Sequence, residues 1–114
     1  MLQNKVCFAS IDVEQDFGQE ERNFKGVENL HKILDIFKSH RIPATLFVTG
    51  ESLKNHKDLF LKWQENCEIA CHTFTHRFWN GLGKEERGKE IESYSGLTGR
   101  FLKNPPEDLE LLPI

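Results

Sequence analysis

The sequence predicts an α/β fold built on a parallel sheet, and three observations carry that expectation. Short apolar runs alternate with amphipathic stretches, giving the order strand, helix, strand, helix, strand, helix. The runs KVCFASI (5–11), ATLFV (44–48) and CEIAC (67–71) are near-continuous, as in strands buried on both faces. Strands that alternate with helices make right-handed crossovers and so lie parallel. Two architectures satisfy this pattern: an open doubly wound sheet, or part of a β/α barrel.

The elements follow in order. Residues 5–11 form the first strand, which runs into the acidic segment DVEQDFG and closes at Gly18. QEERNFKG (19–26) is polar and reads as a loop. Val27, Leu30, Ile33, Leu34 and Phe37 recur at helical spacing and predict a helix over 27–40. Arg41-Ile42-Pro43 ends it, because the residue before proline is pushed out of the helical region. ATLFV is the second strand, turned by Thr49-Gly50. Leu53, Leu59, Phe60 and Trp63 predict one helix ending near Asn66, and CEIAC is the third strand. Residues 84–94 carry only Ile91 and Tyr94 as an apolar stripe, and Gly88 interrupts the helix they predict. From Ser95 the pattern fades; Pro105-Pro106 break the chain, and EDLELL adds one helical turn.

The bulk numbers narrow the function classes. The 114 residues are enough for a single domain, and nine Phe and two Trp supply large side chains for a core that is 38% apolar by composition. A net charge of −3 with no cluster of lysine or arginine excludes a nucleic-acid binder that works through a basic face. No apolar run approaches a membrane span, so no membrane partner is expected. MLQNKVCFAS lacks a charged-then-apolar signal layout, which places the chain in the cytoplasm. Three cysteines make an odd count without a disulfide framework, so reduced thiols are expected.

Chemistry in either architecture gathers at the carboxyl ends of the parallel strands. The first strand ends in Asp12, Glu14 and Asp16, the second in Thr49, and the third in His72 with His76 just beyond. Two histidines and a carboxylate hold a divalent metal and leave positions open for water. Asp12 and Glu14 are two apart, so strand alternation points both to one face, one as ligand and the other as base. Plainer readings stand beside this one. DVEQD also reads as a solvated loop, and His-x-x-x-His as polar surface. A four-ligand zinc site from Cys67, Cys71, His72 and His76 lacks the spacer that separates the ligand pairs of a finger. The cysteines read better as small buried residues, and His31, His40 and His56 as surface.

Three stretches together resemble the N-terminal half of the polysaccharide deacetylase family, which has the chitooligosaccharide deacetylase homology domain. ASIDVEQDF is similar to the family's first motif, in the variant with an Asp-x-Asp/Glu pair. LHKILDIFKSHRIPATLFVTG resembles the helix, proline and second strand between the motifs, and CEIACHTFTH the metal-histidine motif. The resemblance covers residues 4–94 and leaves 95–114 atypical. It implies a partial (β/α) barrel of about three βα units with a parallel sheet, in one domain over 1–114. It implies Asp12 as catalytic base and Glu14, His72 and His76 as ligands of a divalent metal, zinc first, with Asp16 as reserve ligand. The implied reaction is hydrolysis of the acetamide C–N bond of an N-acetylated glycan or a related amide.

The chain also departs from the family. Family domains are longer, the Arg-x-Pro motif is missing from GRFLKNPPEDLELL, and no histidine follows His76 to act as general acid. The expectation is therefore a truncated domain: an incomplete enzyme, a catalytically inactive remnant that binds carbohydrate or a partner, or half of a split enzyme. Three strands do not close a barrel, and unpaired edges invite self-association or a completing partner chain.

Overall fold

Within the three strands that form, alternate side chains turn toward one face, with Val13, Leu46, Val48 and Ile69 buried and Ile11, Cys67 and Cys71 partly so. A computed structural model describes residues 5–16 and 23–101, with side chains through Leu97. Three strands, β1 (Ala9–Val13), β2 (Ala44–Val48) and β3 (Cys67–Cys71), form one parallel sheet in the order β1-β2-β3. The register aligns Ile11 with Leu46 and Ile69, and Val13 with Val48 and Cys71. These rows face the helices and form the core with Leu34, Leu53, Phe60 and Tyr94. The other face carries Ser10, Asp12, Thr45, Phe47, Glu68 and Ala70, which stay exposed or half-exposed.

Burial on both faces is thus corrected to burial on one. Sequential strand order with crossovers of one hand puts every helix on the same side of the sheet. That is the arrangement of a β/α barrel segment; a doubly wound sheet is covered on both faces. The first strand also shifts, starting at Ala9 instead of Lys5. Ala9 pairs with Ala44, and Pro43 before it has no N–H to extend the ladder. Val6 and Phe8 therefore lie outside the sheet, 75% and 90% exposed.

The helices are more segmented than the periodicity predicts. The first divides at Asn29 into α1 (Lys25–Glu28) and α2 (Leu30–Ser39). Val27, Leu30 and Leu34 are buried, while Ile33 is exposed. At the end of α2, Arg41 takes φ 55°, Arg41 N donates to Lys38 O, and Ile42 N donates to Phe37 O. This is the Schellman pattern, with arginine where glycine is usual, and Pro43 follows it. The second predicted helix divides at His56 into α3 (Gly50–Asn55) and α4 (Lys57–Trp63). The His56 ring packs edge-on against Phe24, with ring centres 4.9 Å apart, so this histidine is a half-buried spacer and not surface.

The third helix, α5 (Lys84–Phe101), runs through Gly88 and well past residue 94. Tertiary packing overrides weak propensity here. Tyr94 is fully buried, and its hydroxyl donates to Ala70 O at 2.9 Å, fastening the helix to β3. Half of the loop predicted over 19–26, and the turn predicted in EDLELL, lie outside the described residues, while Lys25 and Gly26 belong to α1.

Candidate metal centre

The hydrogen bonds of the sheet continue one residue past the strand ends. Thr49 N donates to Val13 O at 3.0 Å, and His72 N donates to Val48 O at 3.2 Å. Glu14, Thr49 and His72 thereby become neighbours at the carboxyl edge, as strand parity predicts. Thr49 is fully buried, and its hydroxyl accepts from Ser52 N to cap α3 and donates to Gln15 Oε1 at 3.0 Å.

Glu14, His72 and His76 meet there. Their nearest ligand atoms all lie within 4.8 Å of one another. Glu14 Oε2 stands 2.7 Å from His76 Nε2, and Glu14 Oε1 stands 3.7 Å from His72 Nε2. The imidazole rings lie 4.9 Å apart, centre to centre. All three side chains are about a quarter exposed, open enough for a small ligand to reach them. His72 Nε2 is buried and has no hydrogen-bond partner among the described residues. An orphaned imidazole nitrogen is costly unless something binds it. Two imidazoles and one carboxylate are the donor set of an open zinc-type site, so the residues fit a divalent cation.

The segment joining the histidines is held in an unusual shape. Thr73 and His76 adopt φ 59° and 63°, a region that non-glycine residues seldom occupy. Such strain, about 1–3 kcal/mol per residue, persists only where neighbours enforce it. They do so from several sides. His76 N donates to Thr73 Oγ1, Gly50 N to Thr73 O, and Glu51 N to Phe74 O. Phe74 lies so close over Gly50 that a β-carbon there would stand 2.2 Å from its ring. Gln15 Nε2 donates to Thr75 O at 3.1 Å. Thr75 donates its N–H to Glu90 Oε2 at 3.1 Å and its hydroxyl to Glu90 Oε1.

Other sequence candidates fall elsewhere. Asp12 stays on the bare face, two residues before Glu14, and both line a cleft of about 330 Å³ along β1. Asp16, the reserve ligand, lies outside the Glu14–His72–His76 group, and its carboxylate accepts from Lys25 N and Gly26 N at the start of α1, each at 3.2 Å. Cys67 and Cys71 point the other way, against the core. Burial raises both thiols above their ordinary value, and the Glu90 carboxylate raises Cys71 further against the opposing Thr73 backbone hydrogen bond. His31 and His40 are exposed, as expected.

Sequence reasoning missed Gln15 and Glu90. Glu90 sits four residues before Tyr94, which places a charge on the buried stripe of a charged helix. That misfit was the available signal. Gln15 gave none, since it lies within an acidic, loop-like run.

Comparison with known proteins supplies the context for this geometry. A family profile described as polysaccharide deacetylase matches residues 16–106, which include both histidines and begin just after Asp12 and Glu14. A chitooligosaccharide deacetylase of Rhizobium leguminosarum bv. trifolii is 36% identical over 83 residues, covering 66% of this chain and 39% of that protein. An uncharacterized 30.6 kDa protein of Geobacillus stearothermophilus is 31% identical over 94 residues, covering 74% and 36%. A family 4 carbohydrate esterase from Bacillus anthracis superposes with a TM-score of 0.67 at 26% identity, covering 87% of this chain and 44% of that one. A peptidoglycan deacetylase from Bacillus subtilis superposes with a TM-score of 0.70 at 19% identity, a likeness of fold, and covers 87% and 45%. The chain thus spans less than half the length of these relatives.

Proposed function

The chain belongs to the polysaccharide deacetylase family, and from that premise we propose that it carries the metal-binding half of a hydrolase that removes acetyl groups from N-acetylated sugars. The observation that supports this reading most is the meeting of Glu14, His72 and His76 at one strand edge, with His72 Nε2 left without a hydrogen bond among the described residues. These three residues would hold a divalent cation, zinc first by donor type. When bound, the cation supplies Lewis acidity to an amide carbonyl. Asp12, on the same face as Glu14, is the base that takes a proton from the attacking water at its carboxylate. Gln15 holds the edge in register, accepting from the Thr49 hydroxyl and donating to Thr75 O. Attack at the acetyl carbon is followed by rupture of the C–N bond, the proton taken up by Asp12 passing to the leaving nitrogen, and releases acetate and a sugar amine. The three free cysteines fit the reducing cytoplasm that this reading assumes. The test is acetate release from N-acetylglucosamine oligomers by zinc-loaded protein, with Asp12→Asn as the inactive comparison. Zinc-loaded protein that releases no acetate at high concentration sinks the catalytic reading.

A second reading is a non-catalytic half that binds glycan or a completing partner chain. The bare sheet face favours it, since Phe47 and Glu68 lie open where a closed barrel would bury them. Glycan binding without acetate release, or recovery of turnover on adding a partner chain, is its signature.

A further inference from the structure

We propose that Glu90 is a positioning residue of this centre: from α5 its buried carboxylate clamps Thr75 and so fixes how His72 and His76 face each other. The proposal rests on the metal reading above and extends it to a residue outside the ligand set.

Glu90 is 7% exposed, among the few polar side chains buried in the described residues. A buried carboxylate is costly unless hydrogen bonds repay its lost hydration. Both its oxygens are used, and both by one residue: Oε2 accepts the Thr75 N–H, and Oε1 accepts the Thr75 hydroxyl. Thr75 immediately precedes His76 and lies three residues after His72. Its remaining polar atom, the carbonyl oxygen, accepts from Gln15, the residue after Glu14. Every polar group of Thr75 is therefore held, from α5 on one side and from the end of β1 on the other. The following segment is tied to the same helix, by Arg77 to Glu86 and by Arg87 to Trp79 O. Thr73 and His76 sit at positive φ on either side of this anchor, so release of Thr75 lets the turn relax and carries the imidazoles off their common centre. Partners that orient metal ligands are worth about 10- to 100-fold in metal affinity.

Glu90→Gln keeps the side chain's size but presents an amide NH2 to a donor. The full chain is compared with Glu90→Gln, Thr75→Ser, Thr75→Val and Tyr94→Phe. Tyr94→Phe removes another hydrogen bond from the same helix without touching the turn. Two readouts are taken: amide exchange at Thr75 and His76 in metal-free protein, and zinc affinity by chelator competition. The proposal expects Glu90→Gln to speed exchange at both amides by about 10-fold or more and to weaken zinc by about 10- to 100-fold. Thr75→Ser, which keeps both donors, matches the parent, and Tyr94→Phe leaves zinc affinity within about 3-fold. If Glu90→Gln does not fold, Thr75→Val, which loses only the hydroxyl, carries the comparison with a smaller loss in the same direction. Unchanged exchange in Glu90→Gln overturns the proposal, as does an equal loss of zinc affinity in Tyr94→Phe. A parent chain that takes up no zinc overturns the metal reading instead. The exchange measurement needs no metal and still decides whether Glu90 holds the turn.

Discussion

Glu14 Oε2 and His76 Nε2 stand 2.7 Å apart, although one follows the first strand and the other lies beyond the third. Two crossovers in the same sense bring them together, because they return each strand end to the same edge of the sheet. His72 completes the group with a nitrogen that accepts or donates no hydrogen bond among the described residues.

The ligand set separates cleanly from the neighbouring acid. His72→Ala, His76→Ala and Glu14→Ala are each expected to abolish stoichiometric binding of zinc or cobalt in equilibrium dialysis. Asp16→Ala is expected to retain the metal and to lose about 0.5–2 kcal/mol of stability by denaturant titration, since its carboxylate caps α1. Loss of metal in Asp16→Ala with full retention in Glu14→Ala would reverse the assignment.

Gly50 is required for the space above it. Gly50→Ala puts a β-carbon 2.2 Å from the Phe74 ring, so the turn between the histidines must move. Overpacking of this kind costs about 1–3 kcal/mol. Gly50→Ala/Phe74→Ala should recover metal binding relative to Gly50→Ala alone, because the obstruction is gone. A single variant with parental melting temperature and zinc affinity contradicts this account.

Alkaline stability should be limited by three protonated groups, Tyr94 buried and Cys67 and Cys71 half-buried. Burial raises Cys67, Cys71 and Tyr94, so in each the folded state favours the neutral form. Their contribution is complete below the ordinary values of 9.0 for the thiols and 10.0 for the phenol, and is lost as pH climbs beyond them. Urea midpoints should therefore fall from pH 9 upward and more steeply above pH 10. Tyr94→Phe should soften the second decline while losing about 0.5–1.5 kcal/mol near neutrality with its bond to Ala70 O.

Thiol labelling distinguishes packing from ligation. Cys7 is exposed and should react first with iodoacetamide, while Cys67 and Cys71, half-buried and raised, lag behind it in metal-free protein. Zinc addition should leave all three rates within about 2-fold. Protection of Cys67 or Cys71 by zinc would bring back the four-ligand site.

The parts of the fold set by periodicity were readable from the chain. ATLFV and CEIAC are β2 and β3 at their expected bounds, and the parity of the residues after each strand places Glu14 and His72 on one edge. Less readable were features set by contacts between distant segments. The break at His56 depends on Phe24, and the start of β1 depends on Pro43 in front of its partner strand. The continuity of α5 through Gly88 depends on Tyr94 reaching β3. Glu90 shows the same limit: its role comes from Thr75, 15 residues away in sequence.

X-ray absorption at the zinc edge of reconstituted protein reads the ligand set itself. One zinc per chain is expected, with nitrogen and oxygen neighbours at ~2.0–2.2 Å, scattering from two imidazoles, and no sulfur at ~2.3 Å. A sulfur shell, a single imidazole, or protein that retains no zinc after reconstitution would contradict it.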